Sequence, residues 1–319
     1  MKLAPIDAAA YARDVLPLTA ELWAGRRDYE TYVTQTNEIA ACGYGQRHYR
    51  TLGLYDGAQL VASLKRYERT VHFGTQRLQA VGIGAVFTPN EFRGRGYASA
   101  LLAMVLDRSR ADGYDLAYLF SDIRPQFYNE LGFTTLPSRS MSLRADGLAG
   151  SRIEVQRLDE GDWTGVRRCF ELGERLRPWG FARTPLVWDW IRMRYRHDSE
   201  HAIGVQTNLV VRRGRGIAAY ILGVRDPEHD AYLVDEYGFA DAEAGILVGP
   251  LLRAAAGDLR RVAGWLPPDP AREALARASV RKRTNAIFMA APLTRGGTAW
   301  LEVATAKSKA DGVWSTDHI

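Results

Sequence analysis

Apolar residues in the first half of the chain keep two rhythms, one helical and one strand-like. Residues 7–23 carry helical spacing, followed by further helix-like sequence. Residues 50–55 and 59–64 are apolar-rich runs on either side of Asp56-Gly57, the turn chemistry of a β-hairpin. A strand rich in Val, Ile, Ala and Gly covers 78–88. Next comes an Arg/Gly loop, then a helix whose Leu101, Leu102, Val105 and Leu106 share one face and whose C-cap is Gly113. Residues 116–120 are apolar without alternation, as in a strand buried on both faces. Pro125 opens a short helix that ends near Gly132.

The small, polar segment 144–151 reads as a linker. Beyond it the order of elements repeats: strand 153–158, helix 162–176, a helix around Trp188 and Trp190, and a hairpin over 209–224. A strand over 231–237, a helix over about 249–259 and a strand over 261–266 follow. Residue identity between the halves is poor, so the repeat is one of architecture. The alternation predicts an α/β (α+β) chain of two domains, 1–148 and 149–319, consistent with a length of 319 residues at roughly 100–200 residues per domain.

Composition narrows the function. The chain is 46% hydrophobic and 25% charged, the profile of a globular protein. Cys42 and Cys169 are far apart and have no Cys or His at ligand spacing, and the six histidines form no metal-binding motif. No disulfide framework and no metal are expected. The net charge of +5 is mild and spread along the chain, with no basic block or nucleic-acid motif. No stretch approaches the ~18 apolar residues of a membrane span, and no signal-peptide run opens the sequence. The expectation is a cytoplasmic protein that binds neither nucleic acid nor membrane, with homo-oligomerisation left open.

The candidate chemistry lies in Thr88-Pro89-Asn90-Glu91-Phe92-Arg93-Gly94-Arg95-Gly96-Tyr97-Ala98-Ser99, between a buried strand and a helix start. Gly94 and Gly96 allow backbone conformations closed to larger residues. The helix start offers unpaired N–H groups and a positive dipole end to a phosphate, and Arg93 and Arg95 add charge. A nucleotide P-loop would need Gly-Lys-Ser/Thr, which is absent. A dinucleotide fingerprint would need Gly or Ala where Ser99 stands.

The spacing Arg93-x-x-Gly96-x-Ala98 resembles the acetyl-CoA loop of the GNAT N-acetyltransferase superfamily. Further on, Phe127-Tyr128-Asn129-Glu130-Leu131-Gly132-Phe133 resembles that superfamily's Phe-Tyr-x-x-x-Gly-Phe signature. The resemblance covers about residues 1–148. It implies acetyl-CoA as acyl donor, with pantetheine along Ala85, Val86 and Phe87 and pyrophosphate on Arg93, Gly94, Arg95, Gly96, Tyr97, Ala98 and Ser99. Ser121 and Asp122, at the end of the following strand, are further cofactor contacts on this reading. Tyr128 would protonate the departing thiolate.

Arg213-Gly214-Arg215-Gly216-Ile217-Ala218 matches the same loop pattern but lies between two strand-like runs, as a hairpin turn would. The second half's equivalent position, 238–244, has no Arg and carries Asp241 and Glu243, which would repel a pyrophosphate. One intact and one degenerate module resemble tandem-GNAT proteins of the enhanced-intracellular-survival type, without their sterol-carrier-like third domain. The resemblance implies two tandem GNAT-like domains, each a mixed, largely antiparallel sheet flanked by helices. It also implies a C-terminal carboxylate as general base, here that of Ile319, with Asp317 and His318 as alternatives. The Trp-rich stretch 179–190 reads as core packing before acceptor pocket, and Asp28, Glu30 and Glu38 as a solvated helix face.

The expected activity is acetyl transfer to an amine of a small-molecule or peptide acceptor. Polyamines, aminoglycosides, amino-acid derivatives and protein lysines all remain open, because one fold hosts many acceptors. The alternative is a non-catalytic acyl-CoA sensor or interaction scaffold.

Overall fold

Asp7 starts the first helix by accepting the Ala10 amide hydrogen at 2.8 Å. That helix ends at Val15, because Leu16 and Pro17 begin a second one. The predicted stretch 7–23 is therefore two helices, preceded by a strand its pattern did not mark. The computed structural model describes residues 1–122, 125–150, 153–201, 204–268, 272–306 and 311–319. Ser151, at the end of the predicted linker, lies outside them.

The first half runs β1 (Lys2–Ile6), α1 (Ala8–Asp14), α2 (Leu16–Trp23), α3 (Tyr29–Ala41), α4 (Gly43–His48), β2 (Tyr49–Asp56), β3 (Gln59–Phe73) and β4 (Gln76–Phe87). It continues with α5 (Tyr97–Ala111), β5 (Leu116–Ser121), α6 (Pro125–Asn129), β6 (Thr134–Thr135) and β7 (Arg139–Arg144). The second half runs β8 (Gln156–Arg157), α7 (Trp163–Glu174), β9 (Trp179–Ala182), α8 (Pro185–Glu200), β10 (Val205–Gln206), β11 (Leu209–Arg213), β12 (Gly216–Asp226) and β13 (Ala231–Phe239). It closes with α9 (Val248–Ala256), β14 (Arg261–Trp265), α10 (Arg272–Leu275), β15 (Ser279–Lys282), β16 (Ile287–Pro292) and α11 (Arg295–Thr305).

Two mixed sheets result. The first has the order β1-β2-β3-β4-β5-β16-β6, with β9 beside the far end of β3; the second has β15-β7-β14-β13-β12-β11-β8, with β10 beside β12. Among the described residues each contains one parallel pair, β4 with β5 and β13 with β14, and its other pairings are antiparallel.

The sheets do not respect the 148/149 boundary expected from the sequence. β7, from the first half, pairs with β14 in the second sheet, and β16 and α11, from the last 35 residues, return to the first. The exchange is reciprocal, since β7 lies beside β14 as β16 lies beside β5. Burial drives it from both ends: Met141 and Leu143 of β7 join the core of the second module, and Met289 and Phe288 of β16 join the core of the first. The predicted linker is a 3-10 turn at Ala145–Gly147 with Ala145 buried, not a free tether.

Candidate active site

The parallel pairing of β4 and β5 runs from Ala80↔Leu116 to Ile83↔Leu119 and then stops. Beyond it the two strands no longer pair with each other: β4 runs on to Phe87 beside β3, and β5 to Ser121 beside β16. On the other side of β4 the register skips: Lys65 faces Gly84, but Ser63 faces Phe87. Ala85 and Val86 fall in that skip, and Ala85 sits at φ +47°, a left-handed conformation uncommon for a residue with a side chain. A V-shaped opening therefore forms where the sequence placed Ala85, Val86 and Phe87. Phe87 also anchors the opening, with its ring packed edge-on to Trp23 at 6.3 Å and buried with Tyr11 and Tyr32.

The Arg/Gly loop leaves the tip of β4 and runs into α5. Gly94 and Gly96 adopt φ +75° and +78°, which explains their identity. Gly96 caps α5 without a side-chain hydrogen bond, so the first-turn amides of a 15-residue helix are open to an anion. Residues Arg93 to Gly96 are exposed, and Tyr97, Ala98 and Ser99 are half-buried. Arg93 Nε donates to the Thr88 carbonyl at 3.1 Å. The Arg95 guanidinium lies 5.8 Å from the Phe92 ring, and Tyr97 packs edge-on to the same ring. The loop pieces predicted to act together are thus brought together.

At the tip of β5, Ser121 pairs with Ile287 of β16, and the Asp122 carboxylate accepts the Ala286 amide hydrogen at 2.9 Å. Asp122 is therefore committed to the turn before β16. Tyr128, half-buried on α6, packs against Phe127 and Phe133. Burial, with help from the Asp122 charge, pushes its phenol up to about 12, so it keeps its proton at any working pH.

The chain end lies in this opening. A Cβ added to Gly84 would stand 3.7 Å from the Ile319 carbonyl carbon and oxygen, and one on Gly82 would collide with Ile319 Cδ1 and the Tyr118 hydroxyl at 2.6 Å. Two glycines one pleat apart on β4 thus make the bed for the last residue. The resemblance pointed to Ile319 but not to what holds the chain end in place. Arg194 donates to the His318 carbonyl at 2.9 Å and the Thr316 carbonyl at 2.6 Å. Arg69 and Arg183, both with fully buried side chains, pair with Asp317 at 3.0 and 3.1 Å, and Arg183 also pairs with Glu236 at 2.7 Å. Trp188 and Trp190 are core residues, as expected, and wall this cluster: Arg183 stacks on Trp188 at 4.7 Å and Arg194 on Trp190 at 4.4 Å.

This corrects the alternative assignments for the general base. Burial alone would raise the Asp317 carboxyl, but Arg183 and Arg69 outweigh it and hold the pKa below the usual range. Its oxygens are spent on the tail anchor. The His318 ring packs between Phe120 and Trp265, and burial pulls its pKa down to about 4. An imidazole neutral when folded but protonated when unfolded below roughly 6.5 stabilises fully above that pH and loses its contribution as the pH falls towards 4. The urea midpoint is expected to drop over that interval, and to drop less in His318→Phe.

The second module is closed at both places where the first is open. Its β13–β14 pairing stops at Val234↔Gly264, and the gap beyond is filled by the tail: Ser315 bonds Asp235 at 3.0 Å, Thr316 bonds Glu236, and Trp314 packs edge-on to Tyr237. Where a phosphate would sit, the Asp241 carboxylate itself accepts the Ala244 amide hydrogen at 2.7 Å and pairs with Arg213 at 3.0 Å. Arg213 belongs to the second Arg/Gly match, which is the β11–β12 hairpin turn, as read from its neighbours.

Other expectations resolve locally. Asp28 caps α3 through the Thr31 amide, and Glu38 bonds the buried His197 at 3.0 Å. Cys42 caps α4, and the Cys169 thiol is pushed up to about 11 by burial. Asp226, Glu228 and His229 bring three ligand-type atoms together, a cluster the sequence reading missed, and Arg26 pairs with both carboxylates. Among the described residues, no helix is long and apolar enough to cross a membrane.

Two splayed sheets, one open with an anion-ready loop and one plugged, are the architecture of a tandem GNAT-like chain. The comparisons agree: residues 15–136 match the model of the acetyltransferase (GNAT) domain family. Among solved structures, a GCN5-related N-acetyltransferase from Kribbella flavida superposes with a TM-score of 0.68 at 20% identity, over 92% of this chain and 72% of that one. Eis1 from Mycobacterium abscessus superposes at 0.62 and 16% identity, over 92% and 74%. A tandem GNAT protein from the clavulanic acid biosynthesis pathway superposes at 0.51 and 14% identity, over 92% and 98%. At such identities these likenesses show the fold. No curated protein matches the chain in sequence.

Proposed function

We propose that the chain is an acetyl-CoA-dependent N-acetyltransferase whose reaction runs in the opening between β4 and β5. Three observations support this reading, the first of them carrying it: α5 starts at Gly96 without a side-chain cap, Tyr128 on α6 is held protonated, and the Ile319 terminus lies over Gly84 of β4. The donor's pyrophosphate takes the amides from Arg93 to Ala98 with Ser99 beside them, and its pantetheine lies along Ala85, Val86 and Phe87.

A backbone N–H of that stretch stabilises the oxyanion as the amine attacks the thioester carbonyl. The Ile319 carboxylate accepts the proton the amine must shed, since an alkylamine of pKa ~10 is mostly protonated at neutral pH. The tetrahedral intermediate collapses by breaking the C–S bond, Tyr128 donates to the sulfur, and the second proton that nitrogen sheds as the amide forms restores the phenol through solvent, while Ile319 passes its proton to water. A phenol at about 12 is a weaker acid than a thiol near ~8.5, so this donation accompanies bond cleavage and does not precede it. The amide product and coenzyme A thiol leave.

Thiol release from acetyl-CoA, followed across a panel of amines, tests the reading. Tyr128→Phe should lose about a hundredfold in turnover while keeping its affinity for acetyl-CoA. Full turnover in that variant would remove Tyr128 from the mechanism.

A further inference from the structure

Beside the Ile319 terminus, the same face of the first sheet holds a cation that the reaction above does not use. Lys65 stands on β3 opposite Gly84, the residue over which the chain end lies. It is 8% exposed, and its ammonium lies 5.7 Å from the Tyr11 ring centroid and 5.8 Å from that of Tyr32. Burial is the sole influence on it, pulling its pKa down to about 8; among the described residues no carboxylate pairs with it. Among the described residues, the hydroxyls of Tyr11, whose ring the ammonium faces, and of Tyr49 are buried without a hydrogen-bond partner. A cavity of about 150 Å³ lies between α1, α3, α4 and β2, lined by Tyr11, Tyr49 and Thr51; Lys65 is outside its lining but is the sheet partner of Thr51.

An unpaired buried ammonium and two unbonded buried hydroxyls are costly, and both kinds of group are satisfied by one anion. Cation–π contact with two tyrosine rings recovers only part of that cost. We propose that this cluster binds the acceptor, and that the acceptor is an aminocarboxylate. Its carboxylate pairs with Lys65 and accepts from Tyr11 and Tyr49, and its amine faces Ile319. A single ammonium balances a monoanion; a phosphate monoester, nearly doubly charged, would leave negative charge uncompensated in a buried site. This assignment rests on the acyl-transfer reading above.

Matched pairs of acceptors test it with the full-length protein: glycine against methylamine, 4-aminobutyrate against propylamine, and phenylalanine against phenethylamine, by thiol release from acetyl-CoA. In at least one pair the acid should exceed its decarboxylated partner by about tenfold or more in kcat/KM. Lys65→Met should lower that acid-to-amine ratio by about tenfold, and Lys65→Arg should restore most of it. Should Lys65→Met fail to fold, the wild-type ratios decide alone. Amines used as well as their acids, or a ratio unchanged in Lys65→Met, would overturn the proposal. So would a chain that binds acetyl-CoA and uses neither series, with the donor reading left standing. A chain that uses neither series and binds no acetyl-CoA would overturn the acyl-transfer reading itself.

Discussion

Asp317→Asn is expected to destabilise the folded chain by about 3–5 kcal/mol, measured by urea unfolding. The carboxylate accepts from Arg69 and Arg183, and both guanidiniums are shut away from water. Without the charge they remain buried and under-compensated, which is far worse than losing a surface pair. The side chain is nearly isosteric, so the loss reports charge and not a cavity. Asp146→Asn, which removes an exposed pair with Arg144, serves as the control and should leave the midpoint unchanged. A change in Asp317→Asn no larger than in that control would mean that the arginines find other partners and the tail is not anchored as described.

Replacing the Ile319 carboxylate by a carboxamide should cost about a hundredfold in turnover, the range of a lost general base. A semisynthetic chain ending in the amide keeps the Ile319 side chain on Gly82 and the Arg194 contacts to Thr316 and His318. Acetyl-CoA affinity should stay unchanged, because the donor's contacts are assigned to β4 and to the loop from Arg93 to Ser99, not to the terminal carboxylate. Deleting the last three residues is a blunter test, since it also removes Asp317 and loosens the anchor. An amide-terminated chain with full turnover would show that water, and not the terminus, takes the amine's proton.

Local chemistry was legible where the signal is local. The positive φ of Gly94 and Gly96, the amphipathic face of α5 and the continuous burial of β5 all follow from residues within one element. The misleading second Arg/Gly match was separable because strand-like apolar runs lie on both sides of it and no helix follows. The partners of strands were not legible. Alternation in β7 fixes which face is buried, and the continuous apolar run of β16 marks burial on both faces, but neither says which neighbour lies alongside, so the exchange across residue 148 had no signature. The tail anchor was hidden for a similar reason. Arg69, Arg183 and Arg194 lie on β3, at the entry to α8 and within α8, more than 100 residues from Asp317. In a chain with 42 Lys and Arg, nothing distinguishes three buried arginines from solvated ones. Lys65 was invisible on the same grounds.

Calorimetric titration of the full-length chain with acetyl-CoA tests the central claim most directly, with ATP and NAD as controls. The account predicts one site per chain, lost in Gly96→Glu. A side chain there meets no neighbouring atom, but it puts strain into a φ of +78° and a negative charge at the start of α5. Two sites would contradict the plugged second module. No binding at millimolar acetyl-CoA would contradict the enzyme and leave a GNAT fold serving as a scaffold.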